Sequence, residues 1–195
     1  MIALTLRESN GKAAVADKYG EGYGEYEAEV LEACLQYCDK GQLLSFILSS
    51  ARSELSPVRR DALSLLGDIA DRGFSARQRD VVDSALFAAA ADRTSWFIRS
   101  AAVNALGARA HRDRNLASVA RARIHETVVA ASTSDPESEV RLSAILQLGE
   151  IGDATDIPLL TRIAAEDSSQ AVRGGRTVYP LREEARRALA RLRAR

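Results

Sequence analysis

Aromatic residues make up only 5% of the 195-residue chain, against 46% hydrophobic residues overall. A core must therefore be built mainly from Ala, Leu, Val and Ile, which favours closely packed helices over sheets. Prolines number four, few enough to leave helices uninterrupted. No apolar run approaches the length of a membrane span, and the N-terminus lacks the long apolar core of a signal peptide, so no membrane association and a cytoplasmic location are expected. An excess of either charge is also missing. The 27 basic and 27 acidic side chains cancel, so no global field draws the chain to a polyanion. Cysteine and histidine number two each, too few for a metal site. Cys34 and Cys38 stand four apart, on one helical face with Val30, and are expected to point at a core. No nucleophile with a base, no glycine-rich phosphate loop and no metal triad is present, which directs the reading away from catalysis and cofactors and towards binding.

What charge there is lies unevenly. Residues 1 to 40 hold four basic against eight acidic side chains, whereas residues 181 to 195 hold six arginines against Glu183 and Glu184. Lysine vanishes after Lys40, which fits either recognition by guanidinium groups or a coding bias.

The chain repeats itself. "VRRDALSLLGDI" begins at Val58, "IRSAAVNALGAR" at Ile98, "VRLSAILQLGEI" at Val140 and "LREEARRALARL" at Leu181, at spacings of 40, 42 and 41. Each copy places an Arg after the first aliphatic residue, an Ala four after it and a Leu eight after it, a helical stripe with small residues where helices approach. Ser56-Pro57 and Asp135-Pro136 read as helix starts, and Thr94 or Ser95 caps the second copy. Gly67, Gly107 and Gly149 share a column and read as stops. An apolar stretch of helical spacing precedes each copy, from residues 42, 80, 117 and 156, so each unit is a helix, a turn and a second helix.

On these residues, above all "DPESEVRLSAILQLGEIGDATDIPLLTRIAAED", the chain resembles HEAT-like repeat proteins of the short type also found in bilin lyases. The resemblance covers about residues 42 to 195 and implies an all-α, right-handed solenoid of about four helix pairs with an N-terminal cap. The expected division is an acidic, Tyr-rich cap over 1–41 and an array over 42–195, with units at about 42–73, 74–112, 113–153 and 154–195. In this family the repeated Arg pairs with an Asp of the preceding turn, which implies the pairs Asp135 with Arg141 and Asp167 with Arg173. The signature then occurs twice in the last unit, at Val172 and at Leu181, so a nine-residue insertion, about 173–181, separates the turn from the second helix. It is either a binding element on the rim or a plug for the terminal unit, with Tyr179 covering the last helix.

The resemblance also implies that second helices line a concave face. With offsets zero, four and eight buried, offsets two, six and ten face it, among them Asn104, Leu142, Leu146 and Arg187. Leu142 and Leu146 form an aliphatic pair on a face that should be wet, a candidate interface centre unless the insertion folds over them. The candidate partner-binding set is Asn104, Leu142, Leu146, Arg176, Tyr179 and Arg187. A secondary acidic surface at Tyr23, Glu25, Tyr26 and Glu29 suits docking to a basic protein, or is a solvated cap whose tyrosines pack downward. Another protein is the expected partner, with nucleic acid not favoured. Small stand-alone proteins of this type include adaptors and inhibitors, among them immunity proteins that neutralise a toxin. The alternatives are a bilin lyase subunit, for which no residue identifies a tetrapyrrole pocket, and a HEAT-like alkylpurine DNA glycosylase, for which Trp96 with Asp92 and Arg99 is a loose match.

Overall fold

The computed structural model describes residues 36–69 and 72–195. Eight α-helices follow one another there: α1 Lys40–Ser50, α2 Ser56–Ile69, α3 Ala76–Ala90, α4 Trp96–Arg112, α5 Ser118–Ser134, α6 Ser138–Ile151, α7 Ile157–Glu166 and α8 Pro180–Arg193. A two-stranded hairpin, β1 Ala171–Arg173 and β2 Arg176–Val178, lies between α7 and α8. The proposed surface at Tyr23, Glu25, Tyr26 and Glu29 falls outside the described residues, as does Cys34. Cys38 is exposed rather than turned to a core, because it sits in the break before α1, where Asp39 accepts the Gln42 N–H at 2.8 Å.

Local chemistry sets most helix starts. Ser75 and Gln78 close a reciprocal capping box at α3, and Ser95 caps α4 through the Ile98 N–H. Pro180 opens α8, where its missing N–H costs nothing. Asp135-Pro136 is not a helix start: α6 begins at Ser138, after a turn in which the Asp135 carboxylate accepts the Glu137 N–H at 2.9 Å.

The helices form two layers. The second helices α2, α4, α6 and α8 each pack on the next, while each first helix packs on its own partner and touches the neighbouring first helix sparsely. A tight inner layer under a splayed outer one is the geometry of a solenoid, and the chain is an all-α array of this kind. The repeated stripe is buried in every copy: Val58, Ala62 and Leu66, then Ile98, Ala102 and Leu106, then Val140, Ala144 and Leu148, then Leu181, Ala185 and Leu189.

The glycine column does not end helices. Gly67, Gly107 and Gly149 lie inside α2, α4 and α6, nine residues after the first aliphatic, and face the seventh position of the next unit. A methyl group on Gly67 would come within 2.7 Å of the Ala105 carbonyl oxygen, and one on Gly149 within 3.2 Å of the Ala188 Cα. Gly107 takes the side chain of Gln147 in the same way. The fourth copy carries Ala190 in this column, and it is exposed, because no further described helix packs there. Glycine thus marks where the inner helices touch.

The repeated arginines form a ladder whose connectivity differs from the expected one. Arg99 donates to the Asp92 carbonyl oxygen at 3.0 Å and Arg141 to that of Asp135 at 2.7 Å, so each binds backbone of its own unit's turn. The carboxylates go to the preceding unit's arginine: Arg59 holds Asp92 at 2.6 Å and Arg99 holds Asp135 at 2.7 Å. At the next rung Arg141 reaches the Ser169 hydroxyl at 2.8 Å. The Asp167 carbonyl is taken by Arg182, not by Arg173, because the stretch around Val172 is a strand and the helical copy is the one at Leu181. Beyond α8, Arg195 donates to the Gly149, Glu150 and Gly152 carbonyls and closes the C-terminal end of α6.

Candidate functional site

The open faces of the inner helices make a groove of about 510 Å³ lined by residues that include Arg60, Ser64, Asp68, Asn104 and Gln147. These side chains stand at or beside the offsets left over once the stripe is buried. They are already knitted together. The Ser100 and Ser143 hydroxyls lie 2.8 Å apart, Asn104 donates to Ser143 at 3.4 Å, and Gln147 donates to Asn104 at 3.0 Å. Arg112 pairs with Asp68, and the Arg60 guanidinium lies 5.4 Å from the centre of the Phe97 ring. This floor offers donors and acceptors held in place by neighbouring units.

Against that polar floor one aliphatic side chain stands out. Leu146 is 39% exposed, whereas Leu142, one turn earlier, is half-buried and packs on the core. The two leucines are therefore not one wet pair. Asn104 and Arg187 are exposed as expected, with Arg187 held 3.1 Å from Glu184, which is buried. Arg191 bridges Glu184 at 3.5 Å and Glu150 at 3.4 Å, tying α8 to α6 at the groove's far end.

Arg176 and Tyr179 belong to the inserted segment, which folds as the hairpin. Tyr179 turns inward over the first turn of α8: the Arg182 guanidinium stacks 4.3 Å from its ring centre, and Gln170 donates to its hydroxyl at 3.4 Å. Arg176 stays exposed.

Trp96 opens α4, is 43% exposed and meets Phe97 edge-on at 5.8 Å. Its sequence neighbour Asp92 is fully engaged. One oxygen accepts the Thr94 N–H and hydroxyl at 2.7 and 2.6 Å and the Ser95 N–H at 3.1 Å, and the other takes Arg59. Burial alone would raise the Asp92 pKa; the Thr94 bonds and the Arg59 guanidinium outweigh it and hold the carboxyl at about 2. Asp135 is likewise lowered, with burial opposed by Arg99 and the Glu137 N–H. Asp92 therefore organises a turn, with both of its oxygens already taken.

Sequence reading missed the buried arginine. Arg109 is 2% exposed between Asp83 and Asp113, the latter at 2.9 Å. The signal was there: its column holds Ile69, Ile151 and Leu192 in the other copies. His125, 2.8 Å from the buried Asp156, was also passed over. No group of three or more His, Cys, Asp or Glu among the described residues is placed to hold a metal, and no described helix is long and apolar enough to cross a membrane.

Residues 85–178, from within α3 to the end of β2, match the family model described as HEAT repeats. Comparison with curated proteins returns no match.

Proposed function

Because this chain belongs to the HEAT-like repeat proteins, we propose that it is a non-catalytic protein-binding module that grips its partner with the concave face and the inserted hairpin. HEAT repeats in general mediate protein interactions, and the groove here has the composition such a task needs. The observation that carries the reading is Leu146, a large apolar side chain 39% exposed on an inner helix, beside Gln147 of the polar groove in sequence and with exposed Asn104 and Arg187 on the neighbouring inner helices. A partner that covers it gains the burial of the leucine and finds its hydrogen bonds presented. The finer role proposed here is that of an adaptor or an inhibitor, including an immunity protein that neutralises a toxin. An inhibitor is told apart by the fall in its partner's activity as a stoichiometric complex forms.

The test is affinity capture with a photo-crosslinking residue placed at 146 and, as a control, at the exposed Val119 on α5. One protein crosslinked from 146 and not from 119, and lost with Leu146→Asp, supports the reading. Equal labelling from both positions, or retention of the partner by Leu146→Asp, moves the interface elsewhere. Recovery of nucleic acid in place of a protein favours the glycosylase alternative, to be checked by base release.

A further inference from the structure

The hairpin carries a feature its fold does not need. Gly174 and Gly175 both take positive φ, 55° and 76°, the consecutive left-handed pair that closes a two-residue hairpin with the right twist. A Cβ on either would meet nothing within 4 Å, so the tip stands in open space. Register then puts Arg173 directly opposite Arg176. Like charges across a strand pair weaken it, and a pair of three-residue strands alone is marginal in water. Both arginines are exposed, and neither has a carboxylate partner among the described residues, in a chain with as many acidic as basic side chains. They also share a face with Ala171 and Val178, whose half-burial marks the side turned to the solenoid, while Val172 on the other face is 76% exposed. The two arginines thus stand opposite one another on that face of the exposed hairpin.

We infer that Arg173 and Arg176 form a clamp for the carboxylates of an acidic segment of the protein partner. This rests on reading the chain as a protein-binding module. A carboxylate between the two forks relieves their repulsion and receives paired N–H donors from each. Charge complementarity names the occupant. A nucleic acid backbone is the poorer fit, since its affinity comes from many cations in a row, whereas here two stand together on a short hairpin in a protein of zero net charge. Arginine is instead enriched at protein interfaces.

The experiment titrates the full chain into a fluorescein-labelled oligoglutamate peptide at low ionic strength and follows anisotropy. The parent binds saturably, and the double variant Arg173→Gln, Arg176→Gln weakens binding by roughly tenfold or more. Arg162→Gln with Arg193→Gln, exposed arginines outside the hairpin, leaves it unchanged. Arg176→Glu sets opposite charges across the strands, so it keeps the melting temperature of the parent and still loses the peptide. Undiminished binding by the double variant or by Arg176→Glu overturns the clamp, while the concave-face reading, decided by capture with Leu146→Asp, stands. Tighter binding of a labelled DNA duplex than of the peptide overturns the choice of partner.

Discussion

Arg99 holds both oxygens of Asp135, Nε to Oδ2 at 2.7 Å and a terminal nitrogen to Oδ1 at 2.9 Å, across the joint between one helix pair and the next. The side chains are 12% and 9% exposed, so the pair is largely out of water. Removing one partner strands the other. Arg99→Ala is expected to lower unfolding free energy by about 3 kcal/mol, and Arg99→Lys by more than half of that because a lysine cannot make the forked contact. Urea denaturation measures both, and a loss within experimental error for Arg99→Ala would remove the ladder from the account of stability.

The same turns govern the response to acid. Asp92 is held at about 2 and Asp135 below the ordinary 3.8, so each is more easily ionised in the folded chain than in the unfolded one. Such groups stabilise fully above the unfolded value and lose that contribution as pH falls through the folded one. Stability should therefore decline between about pH 4 and pH 2, with Asp92 accounting for roughly 1–2 kcal/mol of the fall. In Asp92→Asn the urea midpoint should change less over that window than in the parent; parallel profiles would show that other carboxylates set the acid limb.

Gly67→Ala separates packing from propensity. In an exposed helix the change would stabilise by about 1 kcal/mol. Here the new methyl group lands 2.7 Å from the Ala105 carbonyl oxygen and 2.9 Å from its Cα, both backbone atoms that cannot rotate away. A net loss of about 2 kcal/mol is expected by thermal or chemical denaturation, and a stabilised variant would mean that α2 and α4 do not approach so closely.

Leu142 and Leu146 should behave oppositely although they are one turn apart. Leu142→Asp places a charge against the core and should cost about 3 kcal/mol or more. Leu146→Asp should stay within about 0.5 kcal/mol of the parent, with unchanged circular dichroism, and lose the captured partner. Collapse of the Leu146 variant would make that residue core.

The fold was legible because its period is long and its stripe is written in every copy; Val58, Ala62 and Leu66 and their counterparts all proved buried. Two readings failed for one reason. Gly67 looked like a stop, and the resemblance paired Asp135 with Arg141, whereas each residue answers to another unit: Gly67 to Ala105 of the next and Asp135 to Arg99 of the preceding one. The hairpin hid behind a second copy of the helical signature at Val172, and only Gly174-Gly175 betrayed it. The exposure of Asn104, Leu146 and Arg187 follows from the periodicity of the buried stripe. The half-burial of Leu142 does not, since it depends on how far the core reaches at one turn of α6.

The ladder gives the joints of the array different chemical tempers. The first two close on carboxylates, Asp92 and Asp135, while Arg141 closes the third on the neutral hydroxyl of Ser169. Acid that discharges the first two leaves the third rung with nothing to neutralise. A chain that looks like one motif copied four times is thus graded along its length, its carboxylate rungs giving way to a hydroxyl rung just before the hairpin.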